Sequence, residues 1–374
     1  MLKKRILSFL GAAAVTAALT FAVVSVSPSN GFTSGSLQEG MSYDTCGVSP
    51  DAVVASVDGN GATADLITYW IGYNATYLNS YMQHYGGGAL DWDYTMSDGT
   101  TMPDYIKQDV LATVKQELLI ENLANKYGVT LTDEQRAAIE SDEQSFIEQY
   151  GSEEAFDEEL AKLGLRRETY ERITATNYLY QNLYKLYLTE GSALYASDED
   201  LAAYAAAQNY ITADHILLTT VDTATGEALS DETIAEKKAL AEELAEKLKN
   251  YTGDDLASYF AELADEYSED PGRASYPTGY TFTTGAMVPE FEAAAYALAE
   301  GAVSEIVESS FGYHILLRLP LDKAAAADAV RETYFTDFFS DRVESAVIAT
   351  SAEFDKLDPQ VLYETIQAAA QVEG

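Results

Sequence analysis

Two of the three histidines in this 374-residue chain head the same apolar tetrapeptide, His-Ile-Leu-Leu, at His215 and again at His314. Each run is short, rich in β-branched and leucine side chains, and bounded by turn residues, which is the pattern of a strand. An imidazole at the head of an apolar strand is a buried ring that needs a polar partner. Two readings are open: a pair of core histidines satisfying each other, or the polar floor of a site. Other candidates say less when taken singly. Asp270, in Tyr-Ser-Glu-Asp-Pro-Gly (267–272), precedes a proline and reads as a turn residue. Met287 and Phe291 stand at i,i+4 spacing on a short helical stretch and read as core. No spacing of ligand residues suits a metal and no glycine-rich loop suits a phosphate, so no cofactor is expected.

The elements that must position these residues change character along the chain. From about 51 to 205 the signal is helical, with 3.6-type periodicity over 62–85 and 102–128. Thr132 and Gln135 form a capping box before a further helix that Gly151 closes, and helices follow at about 152–163, 167–189 and 198–208. At residue 209 a strand begins. Then come a helix carrying Leu240, Leu244 and Leu248, a helix at 254–268, an irregular loop and a short helix at 289–298. Strands at 303–309 and 312–319 close the unit. This β-α-α-loop-α-β-β order describes a compact α+β domain over residues 206–320. Beyond Pro320 the chain returns to helix, at about 321–350 and 358–371. The fold class expected is therefore multidomain: an α+β domain inserted in a mostly α-helical body, 51–205, on which the C-terminal helices of 321–374 pack.

Four blocks in this order, His-Ile-Leu-Leu, Tyr-Ser-Glu-Asp-Pro-Gly, Gly-Ala-Met-Val-Pro-Glu-Phe (285–291) and Val-Ser-Glu-Ile-Val-Glu-Ser-Ser-Phe-Gly-Tyr-His-Ile-Leu-Leu-Arg-Leu (303–319), resemble the parvulin family of peptidyl-prolyl isomerases. The helical region before the domain and the shorter one after it are similar to exported parvulin foldases of the SurA and PrsA type. The resemblance implies that His215 and His314 lie on adjacent central strands with their rings close together. It implies that Asp270 faces the substrate carbonyl and that Phe282, Met287 and Phe291 cup the proline ring, so that His215, Asp270 and His314 are the catalytic positions. Where the family has a Gly-Gly-Asp-Leu-Gly-Trp-Phe-like turn, this chain has Tyr-Pro-Thr-Gly-Tyr-Thr-Phe (276–282), which puts the path of that loop and the placement of Phe282 in question. The loop 219–232 has no Arg or Lys to hold a phosphate, so phospho-directed specificity is not expected.

Charge and the first residues bound the partners. The chain carries 22 basic against 61 acidic residues, a net charge of −39. A field of that sign repels nucleic acid and anionic surfaces and attracts basic polypeptides. Met-Leu-Lys-Lys-Arg followed by the apolar run 6–26 resembles an export signal, with cleavage near Ser25 or Ser27. A run of this length can instead stay as a membrane anchor. Residues 1–27 are thus an export signal or anchor and 28–50, rich in Ser, Gly and Pro, a flexible linker. Tyr69, Tyr73, Tyr77, Tyr81 and Tyr85 recur every fourth residue and form a slanting ridge, either helix packing or a cradle for unfolded chains. The expected function is an exported foldase that isomerises Xaa-Pro bonds of newly exported polypeptides. The competing readings are a holding chaperone that binds without catalysing and a surface scaffold.

Overall fold

The computed structural model describes residues 31–85, 87–222 and 225–371, with the strand residues Val24 and Ser25. Apart from those two, the expected export segment lies outside the described residues. No described helix is long and apolar enough to cross a membrane. The chain divides into two compact units, one of Met1–Tyr195 with Phe338–Gly374, the other of Ala196–Asp337.

The first unit is built on long helices, two of which have side-chain caps at their heads. Thr101 accepts from the Asp104 amide at the head of Met102–Tyr127, and Thr132 with Gln135 makes a complete capping box at the head of Asp133–Tyr150. Gly128 and Gly151 close those helices in the left-handed conformation, where an L side chain is strained. Ile67, Ile71, Ile106, Leu118, Phe156 and Leu160 fill the core. The C-terminal helix Pro359–Gln371 lies on Ala64–His84, where a Cβ at Gly72 would overlap Ile366 and Gln367 donates to Thr76 at 3.2 Å. A small sheet was not expected here. Val53–Val57 pairs antiparallel with Asn60–Thr63 and with Ile348–Thr350, and Val24 and Ser25 pair in parallel with Ala349 and Thr350. Along Ala64–His84 the tyrosine row moves from core to solvent: Tyr69 is buried, Tyr73 half-buried, and Tyr77, Tyr81 and Tyr85 are exposed. That drift is what a four-residue step on a 3.6-residue turn produces.

In the second unit four antiparallel strands stand in the order Tyr280–Phe282, Ile211–Thr219, Gly312–Leu319, Val307–Ser309. Alternation along the two central strands sorts their side chains. Ile216, Leu218, Tyr313, Ile315 and Leu317 pack under the helices Asp231–Lys249 and Leu256–Tyr267. Ile211, Ala213 and Leu316 face the other way, toward the short helix Pro289–Ala297. Gly312 has φ +144°, and a Cβ there would overlap the Leu218 carbonyl, so the sharp return into the last strand requires glycine. The unit is wider than 206–320. Helices Asp198–Ala207 and Lys323–Ser345 are tied together by Arg331 to Asp198 at 2.8 Å, Lys323 to Glu199 at 2.8 Å, and Tyr204 to Asp337. The stretch read as loop after residue 268 contains the strand Tyr280–Phe282, and the strand read over 303–309 shortens to Val307–Ser309.

Candidate active site

The repeated tetrapeptide pairs with itself. In the antiparallel register His215 stands opposite Leu316, Ile216 opposite Ile315, and Leu217 opposite His314. The two His-Ile-Leu triplets are thus related by a local two-fold at Ile216 and Ile315, which sends both histidines to one face as diagonal neighbours. Their ring centroids are 5.4 Å apart with planes at 73°. Both rings are buried and 4–8% exposed.

The pair does not satisfy itself by a mutual hydrogen bond. His314 Nε2 instead meets Ser309 Oγ at 2.7 Å, and neither ring nitrogen of His215 has a hydrogen-bond partner among the described residues. Burial pushes both imidazoles down to about 4; for His215 the nearby Asp270 opposes this and Arg273 adds to it, and for His314 the first ring adds to it. Both rings are therefore neutral at pH 7.

Asp270 is held from two sides. Its Oδ1 accepts from the Gly272 amide at 3.1 Å and its Oδ2 from the Tyr280 hydroxyl at 2.6 Å. The same Oδ2 lies 3.6 Å from His215 Nε2, beyond hydrogen-bond length. The loop bearing Asp270 is pinned to the first central strand: Leu217 N–H donates to Ser268 Oγ at 3.1 Å, Glu269 N–H to the Leu217 carbonyl at 2.7 Å, and Thr219 to Glu269, which also pairs with Lys237. Arg273 clamps Asp214 at 2.6 Å and Asp265 at 2.8 Å, and Asp214 in turn accepts the His215 amide at 2.8 Å. Burial raises the Asp214 carboxyl against that clamp.

The apolar side of the site comes from the edge strand and the short helix. Phe282 and Phe291 are buried with centroids 5.8 Å apart, and half-buried Met287 packs against the cluster they form with Ala213 and Leu316. Phe291 also meets both imidazoles edge-on, at 5.1 Å from His215 and 5.6 Å from His314. The altered turn keeps Phe282 in the cluster. Gly279 makes this possible: at φ +90° it passes so close to the neighbouring strand that a Cβ would stand 2.8 Å from the Ala213 carbonyl.

All six expected residues thus share one face of the second unit. Sequence reasoning missed two others. Tyr280 is signalled only by period-2 alternation with Phe282 once that segment is known to be a strand, and Ser309 only by its register opposite Gly312. Among the described residues, no group of three or more His, Cys, Asp or Glu side chains is arranged to hold a metal ion.

Residues 215–319 match the family model of the rotamase, or PPIC-type PPIase, domain. The foldase protein PrsA 1 of Bacillus cereus is 37% identical over 125 residues, 32% of this chain and 43% of that one. The PrsA foldase of Halalkalibacterium halodurans is 46% identical over 86 residues, 22% and 24% of the two chains. The Staphylococcus aureus PrsA foldase is 29% identical over 227 residues, 60% of this chain and 63% of that one. The matches therefore span from about a quarter to under two thirds of these relatives' lengths. Among solved structures, the PrsA peptidylprolyl isomerase of Bacillus anthracis aligns over 70% of this chain and 95% of its own at 23% identity, with a TM-score of 0.23. Over residues 215–319, then, this chain carries a PPIC-type peptidyl-prolyl isomerase domain of the parvulin kind, in a chain similar to PrsA foldases.

Proposed function

We propose that this chain is an extracytoplasmic foldase that isomerises Xaa-Pro bonds in unfolded, newly exported polypeptides and holds them while it does so. The observation that carries the reading is the joint placement of a Phe282–Met287–Phe291 apolar wall, a neutral buried histidine pair and a fixed Asp270 carboxylate on one face. Rotation about the peptide bond faces a barrier of about 18–20 kcal/mol because amide resonance is lost, and no bond is made or broken. A catalyst therefore needs only to bind the twisted amide better than the planar one. The apolar wall supplies a dry seat for the pyrrolidine ring. Asp270, whose two oxygens are already fixed, supplies a preorganised charge beside the carbonyl without reorganising during the step. The neutral imidazoles keep the floor uncharged, so no counter-charge draws the carboxylate inward.

The absence of Arg and Lys from residues 219–232 favours unphosphorylated substrates. Exposed Tyr77, Tyr81 and Tyr85 in the first unit offer amphipathic contact area for client segments, and the net charge of −39 favours basic ones. The basic-then-apolar opening of the chain supports export, and retention of that segment would attach the protein to a membrane. The test uses the full chain. It should accelerate refolding of a protein limited by proline isomerisation and suppress aggregation of a denatured one, with Met287→Ala losing the first effect and keeping the second. Aggregation suppression without any acceleration by the wild type would replace this reading with that of a holding chaperone.

A further inference from the structure

Tyr280 touches two polar groups of the site, Asp270 and His215. Its hydroxyl donates to Asp270 Oδ2 at 2.6 Å, and its ring lies parallel to His215, 7° between planes and 5.6 Å between centroids. Tyr276 lies tilted against it, 34° between planes and 4.6 Å between centroids, and is 52% exposed, so a chain of aromatic contacts runs from solvent to the buried imidazole. Burial and the adjacent carboxylate both hold the Tyr280 phenol protonated far above neutrality, so the donor is permanent.

His215 makes this arrangement informative. Its Nε2 is buried, without a hydrogen-bond partner, and 3.6 Å from the oxygen that Tyr280 holds. A closure of less than about 1 Å would form a charge-assisted bond, ordinarily among the stronger ones in a protein. The carboxylate does not make it, because Gly272 N–H fixes one oxygen and the Tyr280 hydroxyl the other.

We propose that Tyr280 is a positioning residue of the isomerase site: it holds the Asp270 carboxylate away from His215 and so keeps the carboxylate available to the substrate amide. Its consequence for catalysis rests on the isomerase reading; its geometry does not. The other ionisable groups that bear on His215 are His314 and Arg273, the latter held by Asp214 and Asp265.

The test has two independent arms on the full chain. Tyr280→Phe keeps the ring stack and removes only the donor. In an NMR titration the His215 midpoint should rise by at least one pH unit from about 4, and adding Asp270→Asn should cancel the rise. For an Ala-Pro peptide, kcat should fall about tenfold while KM stays within twofold; Tyr280→Leu, which also removes the stack, should change KM as well. A His215 midpoint unchanged in Tyr280→Phe, or raised equally when Asp270 is Asn, overturns the proposal. In the wild type the Tyr280 hydroxyl proton should give a slowly exchanging downfield signal that Asp270→Asn abolishes; its absence overturns the proposal even if Tyr280→Phe does not fold. A wild type without isomerase activity would end the isomerase reading and leave the titration arm to decide the positioning role.

Discussion

Acid should weaken the second unit through its two histidines, and the size of the effect follows from where their rings sit. His215 and His314 titrate near 6.5 in an unfolded chain and are pushed down to about 4 in the folded one, chiefly by burial. A depressed folded value means that the unfolded state takes up protons first as pH falls. The stabilisation is complete above about pH 6.5 and is lost progressively as pH drops through 4. At about 1.4 kcal/mol per unit, a drop of this size corresponds to roughly 3 kcal/mol per ring. The rings are 5.4 Å apart, so they titrate as a coupled pair, and the combined loss is on the order of 3–6 kcal/mol. That is a large share of the stability of an ordinary domain. The only two tryptophans, Trp70 and Trp92, lie in the first unit, so their fluorescence cannot follow this one. Urea unfolding at fixed pH values between 7 and 4, read by the Ile216 and Ile315 methyl signals, follows it directly. The doubly substituted His215→Gln, His314→Gln chain should be less stable at pH 7 but lose markedly less between pH 6.5 and 4. Equal losses in the two proteins would refute the reasoning, because the carboxylates common to both would then account for all of the acid sensitivity.

Further outcomes follow from single contacts. Ser309→Ala removes the hydroxyl that meets His314 Nε2 and leaves that nitrogen buried and unpaired, at a cost of about 1–3 kcal/mol in the same urea measurement. Phe291→Ala empties a buried position against both imidazoles and should cost about 3–5 kcal/mol, whereas Met287→Ala, at the half-buried edge of the wall, should lower kcat/KM for Xaa-Pro peptides with a smaller effect on stability. In the first unit, burial drives Glu117 up to about 8, with Trp70 Nε1 donating to it at 3.2 Å. A raised carboxyl stabilises the fold below its unfolded value near 4.5 and loses that contribution as pH rises through 8. Trp70 fluorescence should therefore report falling stability from pH 5 to 9, and Glu117→Gln should flatten that slope.

What was readable beforehand was what local chemistry spells out. Long helices announced themselves by periodicity and caps, as at Thr132, Gln135 and Gly151, and the duplicated His-Ile-Leu-Leu run read as two strands, whose adjacency only the resemblance implied. The failures share one cause, which is that their signal lies in a partner far along the chain. Ile348–Thr350 and Tyr280–Phe282 are strands of three residues, too short to show alternation, and exist because of what they pair with. Asp198 and Arg331 join the helices that extend the second unit, and nothing in either local sequence marks that pair. The partners of the two histidines stayed open for the same reason: whether a ring bonds to its twin, to Ser309 or to nothing depends on ångström-level placement across three strands.

The most direct measurement is two-dimensional exchange spectroscopy on an unphosphorylated Ala-Pro peptide with catalytic amounts of the full chain. The account predicts cis–trans exchange cross-peaks on a timescale where the free peptide, which takes tens of seconds or longer, shows none. It also predicts their loss with Met287→Ala or Asp270→Ala, and no gain when a phosphoserine precedes the proline. Peptide binding with an unaltered exchange rate would contradict it.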